Sequence, residues 1–193
     1  MRRIGVFCGA TAGRDPAHEA AARALGRALA HRDVAVVTGG GRVGLMGAIA
    51  DATLAAGGSV IGVIPRSLVD RELAHSGLTE LVVVDTLAER KTVIIDLADG
   101  FIALPGGIGT LDELAEVLSW AQLGLHAKPV GILDPGDYWT PLLAWLDAAV
   151  AEGYVMPAHR HALMVAADPD ALLDAFERFT PPGDRWDGTS ERR

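Results

Sequence analysis

The sequence is poor in cysteine and in aromatic residues, and its apolar runs are short. Cys8 is the single cysteine among the 193 residues, so no disulfide can form within the chain, which fits a reducing compartment. No apolar run reaches the ~18 residues that a membrane-spanning helix needs, and the apolar stretch behind Met1 is shorter than the ~7–15 residues of a signal-peptide core. We therefore expect a cytoplasmic protein with no membrane partner.

Positive charge is scarce as well. Lys and Arg number 17 against 25 Asp and Glu, which gives a net charge of −8. Because nucleic-acid binding depends on cationic surfaces that release counterions, this balance argues against a nucleic-acid partner. A small phosphorylated ligand stays compatible, since backbone N–H groups and one or two local cations can hold a phosphate in an acidic protein.

Several catalytic motifs are missing. No P-loop lysine follows either glycine-rich segment, no G-x-S-x-G turn is present, and the histidines lack Cys or His partners at metal-ligand spacing. His159 and His161 fall in a stretch that we predict to be a loop. Cys8, at the end of a predicted strand, is interpreted as a small packing residue. We therefore predict no metal.

The sequence does contain a regular alternation of short β-branched apolar runs and longer stretches with helical spacing. Continuous apolar runs of this kind are typical of parallel strands covered by helices on both faces. The alternation predicts an α/β fold with a mainly parallel sheet of about 6–7 strands. Strands are predicted at 3–8, 34–38, 59–64, 80–84, 100–104 and 129–133, with a weaker one at 162–166, and helices at 16–31, 43–56, 87–98, 110–125, 139–152 and 169–179.

The chain shows no internal linker. Its length favours a single domain, which we place at 1–180, and the polar, turn-rich residues 181–193 are predicted to form a flexible tail. Asp15 and Pro16 have the residue types of an N-cap and first helical position, and Gly57-Gly58 ends the second helix.

A first glycine-rich segment, residues 39–44, follows the second predicted strand. It matches G-x-G-x-x-G formally, but a dinucleotide-binding loop follows the first strand and has an acidic residue about 20 positions on. Here the next strand ends at Ile64-Pro65-Arg66, so nicotinamide binding is disfavoured. The alternative is a tight turn that lets helix and sheet pack closely.

A second segment, Pro105-Gly106-Gly107-Ile108-Gly109-Thr110, lies between a predicted strand and a predicted helix. Ligands of open α/β sheets bind at the carboxyl ends of strands, where helix N-termini present unpaired N–H groups to anions. The three glycines would allow a close approach of the backbone to a phosphate. Thr110 and Glu113 also have the spacing of a capping box, which is the structural alternative.

Glu89-Arg90-Lys91 lies near the start of the helix predicted at 87–98. Basic residues there oppose the helix dipole, which indicates a functional role. The alternative is a solvated helix face on which Glu89 compensates the charge. If the role is functional, Arg90 offers bidentate contacts that Lys91 cannot provide.

At this point the sequence resembles a known family, the LONELY GUY (LOG) cytokinin riboside 5′-monophosphate phosphoribohydrolases. The resemblance covers roughly residues 3–178. It rests on Pro105-Gly106-Gly107-x-Gly109-Thr110-x-x-Glu113, Glu89-Arg90-Lys91, Gly39-Gly40-Gly41-x-x-Gly44-Leu45-Met46-Gly47 and Trp120-Ala121-Gln122-Leu123-Gly124. Related sequences were often labelled lysine decarboxylases, but nothing here resembles a pyridoxal-phosphate lysine site.

The resemblance implies a Rossmann-like, three-layer α/β/α homodimer without a cofactor. It would hydrolyse the N-glycosidic bond of N6-substituted adenosine 5′-monophosphates to the free base and ribose 5-phosphate. Arg90 and Glu113 match the family's catalytic pair. The positions expected to bind substrate are Gly40, Gly41, Glu72, Lys91, Gly106, Gly107, Ile108, Gly109, Thr110 and Ser119.

Glu113 could stabilise positive charge on the sugar or orient the attacking water, and both roles stay open. Two other functions are compatible with the same scaffold: a general nucleoside 5′-monophosphate nucleosidase, and a non-catalytic nucleotide or cofactor carrier. The joint presence of Arg90 and Glu113 argues against the carrier. This sequence departs from the family's pattern at Ala10-Thr11 and at Thr38. These departures concern the positions expected to contact the phosphate and the base.

Overall fold

The sheet has seven parallel strands in the order β4-β3-β2-β1-β5-β6-β7. The structure, a computed structural model, describes residues 1–69 and 73–183. The strands are β1 (Arg3–Phe7), β2 (Ala35–Thr38), β3 (Val60–Pro65), β4 (Glu80–Val84), β5 (Gly100–Ala103), β6 (Val130–Leu133) and β7 (Leu163–Ala166).

Helices cover both faces of the sheet and complete a three-layer α/β/α fold. They are α1 (Pro16–His31), α2 (Gly44–Ala55), α3 (Arg66–Val69), α4 (Leu87–Leu97), α5 (Ile108–Gln122), α6 (Thr140–Ala151), α7 (Pro157–Ala162) and α8 (Pro169–Glu177). One apolar core joins α1, α2 and α8 to the sheet, and a second joins α4, α5 and the start of α6 to the opposite face. Among the described residues, no helix is both long and apolar enough to cross a bilayer.

The predicted strands and six predicted helices are confirmed, with ends that differ by at most three residues. The start of α1 is as expected, because the Asp15 carboxylate accepts a hydrogen bond of 2.9 Å from Ala17 N–H and Pro16 takes the first helical position. After α2 the chain turns at Gly57, whose φ of +80° favours glycine.

The predicted loop around His159 and His161 is wrong. Both histidines lie on α7, which begins at Pro157, because proline suits the first helical position as well as it suits a turn. The short helix α3 was not predicted either. Most of the predicted tail, residues 184–193, lies outside the described residues.

The strand order positions the site. From β1 the chain builds the sheet outward through β2, β3 and β4, and then crosses back to place β5 on the other side of β1. Such a reversal leaves a crevice outside the carboxyl ends of the two central strands, where open α/β sheets bind ligands. The loops after β1 and β5, and the first turns of α1 and α5, meet at this crevice.

Candidate active site

An ion pair between Arg90 and Glu113 joins α4 to α5. The Arg90 Nη2 atom lies 3.2 Å from Glu113 Oε1, and the two side chains are only 14% and 13% exposed. The residues are 23 positions apart in sequence, and the location of α4 and α5 on the same face of the sheet brings them together. The structure therefore unites the two residues that the sequence singled out as a catalytic pair.

The Glu113 carboxyl group has an unusual affinity for protons. Burial raises its pKa from 4.5 to about 7, and the nearby Arg90 only partly opposes this effect. Asp112 and Glu116 raise the pKa further, whereas Lys91 lowers it. A carboxyl group with a pKa near 7 exists in both protonation states at neutral pH, as a general acid or base requires.

The Arg90 guanidinium packs directly against Gly39. A Cβ atom at this position would collide with Nη2 and Cζ of Arg90, so the arginine lies directly on the backbone that follows β2. The Arg90 Nε atom is buried and has no hydrogen-bond partner in the described part of the chain. The first glycine-rich segment thus contributes to the site through Gly39, which the sequence did not single out individually.

Gly40 and Gly41 pair with the segment that follows Glu72. The N–H of His75 donates to the Gly40 carbonyl at 2.9 Å, and Gly41 forms an isolated antiparallel bridge with Ala74. Gly40 has a φ of +73°, which explains the glycine there. Glu72 itself lies outside the described residues, so its predicted role stays a prediction.

Lys91 contacts carboxylates of α5. Its Nζ atom lies 3.0 Å from Asp112 Oδ2 and 3.2 Å from Glu116 Oε2. These contacts place the ammonium group beside the Arg90–Glu113 pair, within the group of charges that modifies the pKa of Glu113. Contact between Lys91 and a substrate stays a prediction.

The second glycine-rich segment leaves backbone donors unpaired at the start of α5. The N–H groups of residues 106–110 donate to no acceptor within residues 1–69 and 73–183. Gly106 must lack a side chain, because a Cβ there would collide with Thr110. Unpaired N–H groups together with the positive end of the helix dipole favour an anion, so the binding of a phosphate by this segment stays a prediction.

The alternative interpretation of Thr110 and Glu113 as a capping box is wrong. The N-cap of α5 is Gly107, so Thr110 is buried inside the first turn and the Glu113 carboxylate is directed to Arg90. The helix begins two residues earlier than predicted because the glycines themselves adopt the turn. A related arrangement occurs at α4, where Thr86 accepts from Glu89 N–H at 3.0 Å and the Glu89 carboxylate accepts from Asp85 N–H.

Ser119 lies apart from this group. It follows Glu113 by six positions on α5, about 9 Å along the helix axis. It lines a largely apolar groove of about 580 Å³ that α5 forms with α6, α7 and the residues after α8. Ile108, in contrast, is exposed at the first position of α5, next to the unpaired N–H groups.

Cys8 lies beneath the site and acts as a packing residue. It belongs to the core that joins α1 and α2 to the sheet, and burial raises the pKa of its thiol, with a further increase from the charge of Glu113. The thiol therefore stays protonated and is a poor nucleophile. No group of three potential metal-ligating side chains occurs among the described residues.

The fold and this site define a three-layer α/β/α protein with a buried arginine–glutamate pair beside unpaired backbone N–H groups. The chain belongs to the LOG family of cytokinin riboside 5′-monophosphate phosphoribohydrolases. A relative bearing this name in Rhodococcoides fascians is 46% identical over 176 residues, which cover 91% of this chain and 89% of that protein. A relative in Oryza sativa subsp. japonica, named as a probable enzyme of this type, is 46% identical over 181 residues, covering 94% and 80%.

Two further comparisons are consistent with this family. A family model described as "Possible lysine decarboxylase" matches residues 46–176. The solved structure of a molybdenum cofactor binding protein from Rippkaea orientalis superimposes with a TM-score of 0.71 at 23% identity, over 92% of this chain and 96% of that one. At this identity the likeness concerns the fold alone.

The side chains do not fit a lysine decarboxylase that uses pyridoxal phosphate. The chain has two lysines. Lys91 is engaged by Asp112 and Glu116, and Lys128 donates to the Ile95 carbonyl at 2.6 Å. Neither amine is disposed to form a Schiff base, because each is engaged by oxygen acceptors of the protein.

Proposed function

We propose that this chain hydrolyses the N-glycosidic bond of N6-substituted adenosine 5′-monophosphates, the cytokinin riboside 5′-monophosphates. Water adds to C1′ of the ribose, and the products are the free base and ribose 5-phosphate. The observation that carries the proposal is the Arg90–Glu113 pair beside the unpaired N–H groups of the second glycine-rich segment. The names of the relatives support the choice of substrate class.

In this mechanism the anion site holds the 5′-phosphate. Binding energy at the phosphate, remote from the reacting bond, then positions C1′ against the carboxylate. As the bond to the purine breaks, positive charge builds on the sugar, and the ionised Glu113 stabilises it. With a pKa of about 7, the same carboxylate can accept a proton from the attacking water and later release it to solvent, while the ring nitrogen of the departing purine takes up one proton from solvent, so that the hydroxyl group ends on C1′ and the base leaves neutral.

In this proposal Arg90 holds the substrate and orients the Glu113 carboxylate. Its guanidinium is never deprotonated in proteins, so it cannot give a proton to the leaving base. Its contact with Glu113 Oε1 fixes the carboxylate, and its charge can also attract the ribose phosphate. In the same proposal Glu72, Gly40, Gly41 and Lys91 complete the substrate contacts, and Ser119 contributes from the groove face of α5.

The test is chromatographic detection of the free base and ribose 5-phosphate from N6-isopentenyl-AMP, with EDTA present. We expect release by the wild type and a loss of at least about 100-fold in kcat in Glu113→Gln, since the amide can neither bear charge nor accept the proton. Glu152→Gln, at the end of α6 outside the described site, is the matched control and should retain activity. Full turnover by Glu113→Gln would exclude the assigned role.

Unsubstituted AMP serves as the comparison substrate. In this proposal the described residues act on the phosphate and the sugar, which both substrates share, so a general nucleosidase is the second candidate. Cleavage of AMP at least as fast as N6-isopentenyl-AMP would favour it. Binding of nucleotides without any release of base would instead indicate a carrier.

A homodimer and a cytoplasmic location belong to the same proposal. The apolar groove along α5 and α6 supports the dimer, since Trp145 is 62% exposed at its wall and a second copy would cover such a surface. Analytical ultracentrifugation of the wild type and Trp145→Glu should show a dimer that the charged variant weakens. The single buried thiol, Cys8, fits the cytoplasm.

A further inference from the structure

The loop between β6 and α6 is built to hold one tyrosine in place. The buried Asp134 carboxylate accepts hydrogen bonds from the N–H groups of Tyr138 at 2.8 Å and Trp139 at 3.1 Å. Asp137 turns the chain between them with a φ of +59°. The backbone at Tyr138 is therefore fixed by a side chain at the end of β6.

The ring of Tyr138 contacts two other aromatic rings. It makes an edge contact with His18 of α1, at 5.5 Å between ring centroids, and another with Trp139 at 5.2 Å. Its hydroxyl donates a hydrogen bond of 2.5 Å to the carbonyl oxygen of Gly106. Tyr138 thus connects α1 and the β6–α6 loop to the second glycine-rich segment, 32 positions earlier in the chain.

The direction of a carbonyl determines the direction of the next N–H. In a planar trans peptide the C=O and N–H bonds point in opposite directions. The Gly106 carbonyl points at Tyr138, so the N–H of Gly107 points away from it. In the same way the Pro105 carbonyl accepts from Gly9 N–H at 3.0 Å, which directs the N–H of Gly106.

The two ends of the Gly106–Gly107 peptide differ in their surroundings. Gly106 is tightly packed, since a Cβ there would collide with Thr110, whereas a Cβ at Gly107 would meet nothing within 4 Å, so the Gly107 end of the peptide is open. A rotated peptide would present its carbonyl oxygen to an incoming phosphate in place of its N–H, and the anion would be repelled. The hydroxyl of Tyr138 is the side-chain group that opposes this rotation.

We propose that Tyr138 is a positioning residue that holds the Gly106–Gly107 peptide with its N–H toward the phosphate and so establishes the preference for 5′-monophosphates over ribosides. This inference rests on the proposed function for the identity of its substrates. The tyrosine touches no reacting atom, and it acts through the backbone donors that bind the phosphate.

The test compares Tyr138→Phe with the wild type, and Tyr154→Phe is the matched control. Tyr154 is the other tyrosine of the chain and is 80% exposed beyond the end of α6. We expect Tyr138→Phe to lower kcat/KM for N6-isopentenyl-AMP by about three- to tenfold, as loss of one hydrogen bond does, mainly through KM. Turnover of the riboside should stay unchanged, and the melting temperature should fall by no more than about 2–4 °C, because the ring and its contacts remain.

The pattern of losses decides between positioning and general damage. A parallel loss for monophosphate and riboside, or no loss at all, would overturn the proposal. Tyr154→Phe should match the wild type with both substrates.

A binding measurement separates this proposal from the proposed function. We expect ribose 5-phosphate to bind the wild type in calorimetry and to bind Tyr138→Phe three- to tenfold more weakly, with Tyr154→Phe unchanged. That result would uphold the positioning role even if no nucleotide were hydrolysed, in which case the proposed function alone would fail. Equal affinities, or no binding of ribose 5-phosphate by the wild type, would overturn the role of Tyr138.

Discussion

Gly39 and Arg90 are packed so closely that no side chain fits between the guanidinium group and the backbone that follows β2. Because the guanidinium also pairs with Glu113, the position of the carboxylate depends on the absence of one methyl group on a different element. The geometry of the reacting groups is therefore sensitive to a residue that carries no chemistry itself.

We expect Gly39→Ala to displace Arg90 and to reduce kcat by roughly 100-fold, as misplacement by about 1 Å commonly does. The melting temperature should fall only slightly, since the long arginine side chain can move toward the crevice. Steady-state kinetics and thermal unfolding of the same preparation check this. Wild-type kcat in Gly39→Ala would show that the position of Arg90 is not critical.

The pKa of Glu113 predicts the acid limb of the activity profile. The carboxylate is the form that accepts a proton, so kcat/KM should fall as the pH drops below about 7. Residual activity of Glu113→Gln should lack this limb, because the amide does not titrate. A wild-type profile that stays flat down to pH 5 would contradict the assignment of Glu113 as the base.

The same group should make stability depend on pH. Its folded pKa, about 7, lies above the value of 4.5 for the exposed group, so its favourable contribution is complete below pH 4.5 and is lost as the pH rises through 7. This difference corresponds to roughly 3 kcal/mol. Denaturant unfolding should therefore show that the free energy of unfolding of Glu113→Gln rises relative to that of the wild type between pH 5 and pH 8. If the difference between the two proteins did not change with pH, the pKa of Glu113 would not be raised.

Lys91 and Asp112 form a pair of opposite probes for the charge cluster. Lys91 lowers the pKa of Glu113 and Asp112 raises it. We expect the acid limb to move to higher pH in Lys91→Met and to lower pH in Asp112→Asn, and pH profiles of kcat/KM report each shift. If the acid limb moved in the same direction in both variants, the two substitutions would be acting through structure and not through charge.

The regular part of the fold could be predicted from local sequence. Each strand is a continuous apolar run, and α1 has its capping aspartate and proline in adjacent positions, so the information lies within a few residues. The errors have equally local causes. Pro157 suits both a turn and a first helical position, and Thr110 and Glu113 have cap spacing although the glycines before them already turn the chain.

For the candidate site, the sequence itself determined which residues carry charge and which segments lack side chains. It thereby identified Arg90, Glu113 and the second glycine-rich segment. Only the tertiary structure decided which of these meet: Gly39 beneath Arg90, Lys91 against Asp112 and Glu116, and Tyr138 on the Gly106 carbonyl. The reason is physical, since composition and spacing encode local preferences. Burial and contacts between residues far apart in the chain arise only when the strand order brings their segments to one edge of the sheet.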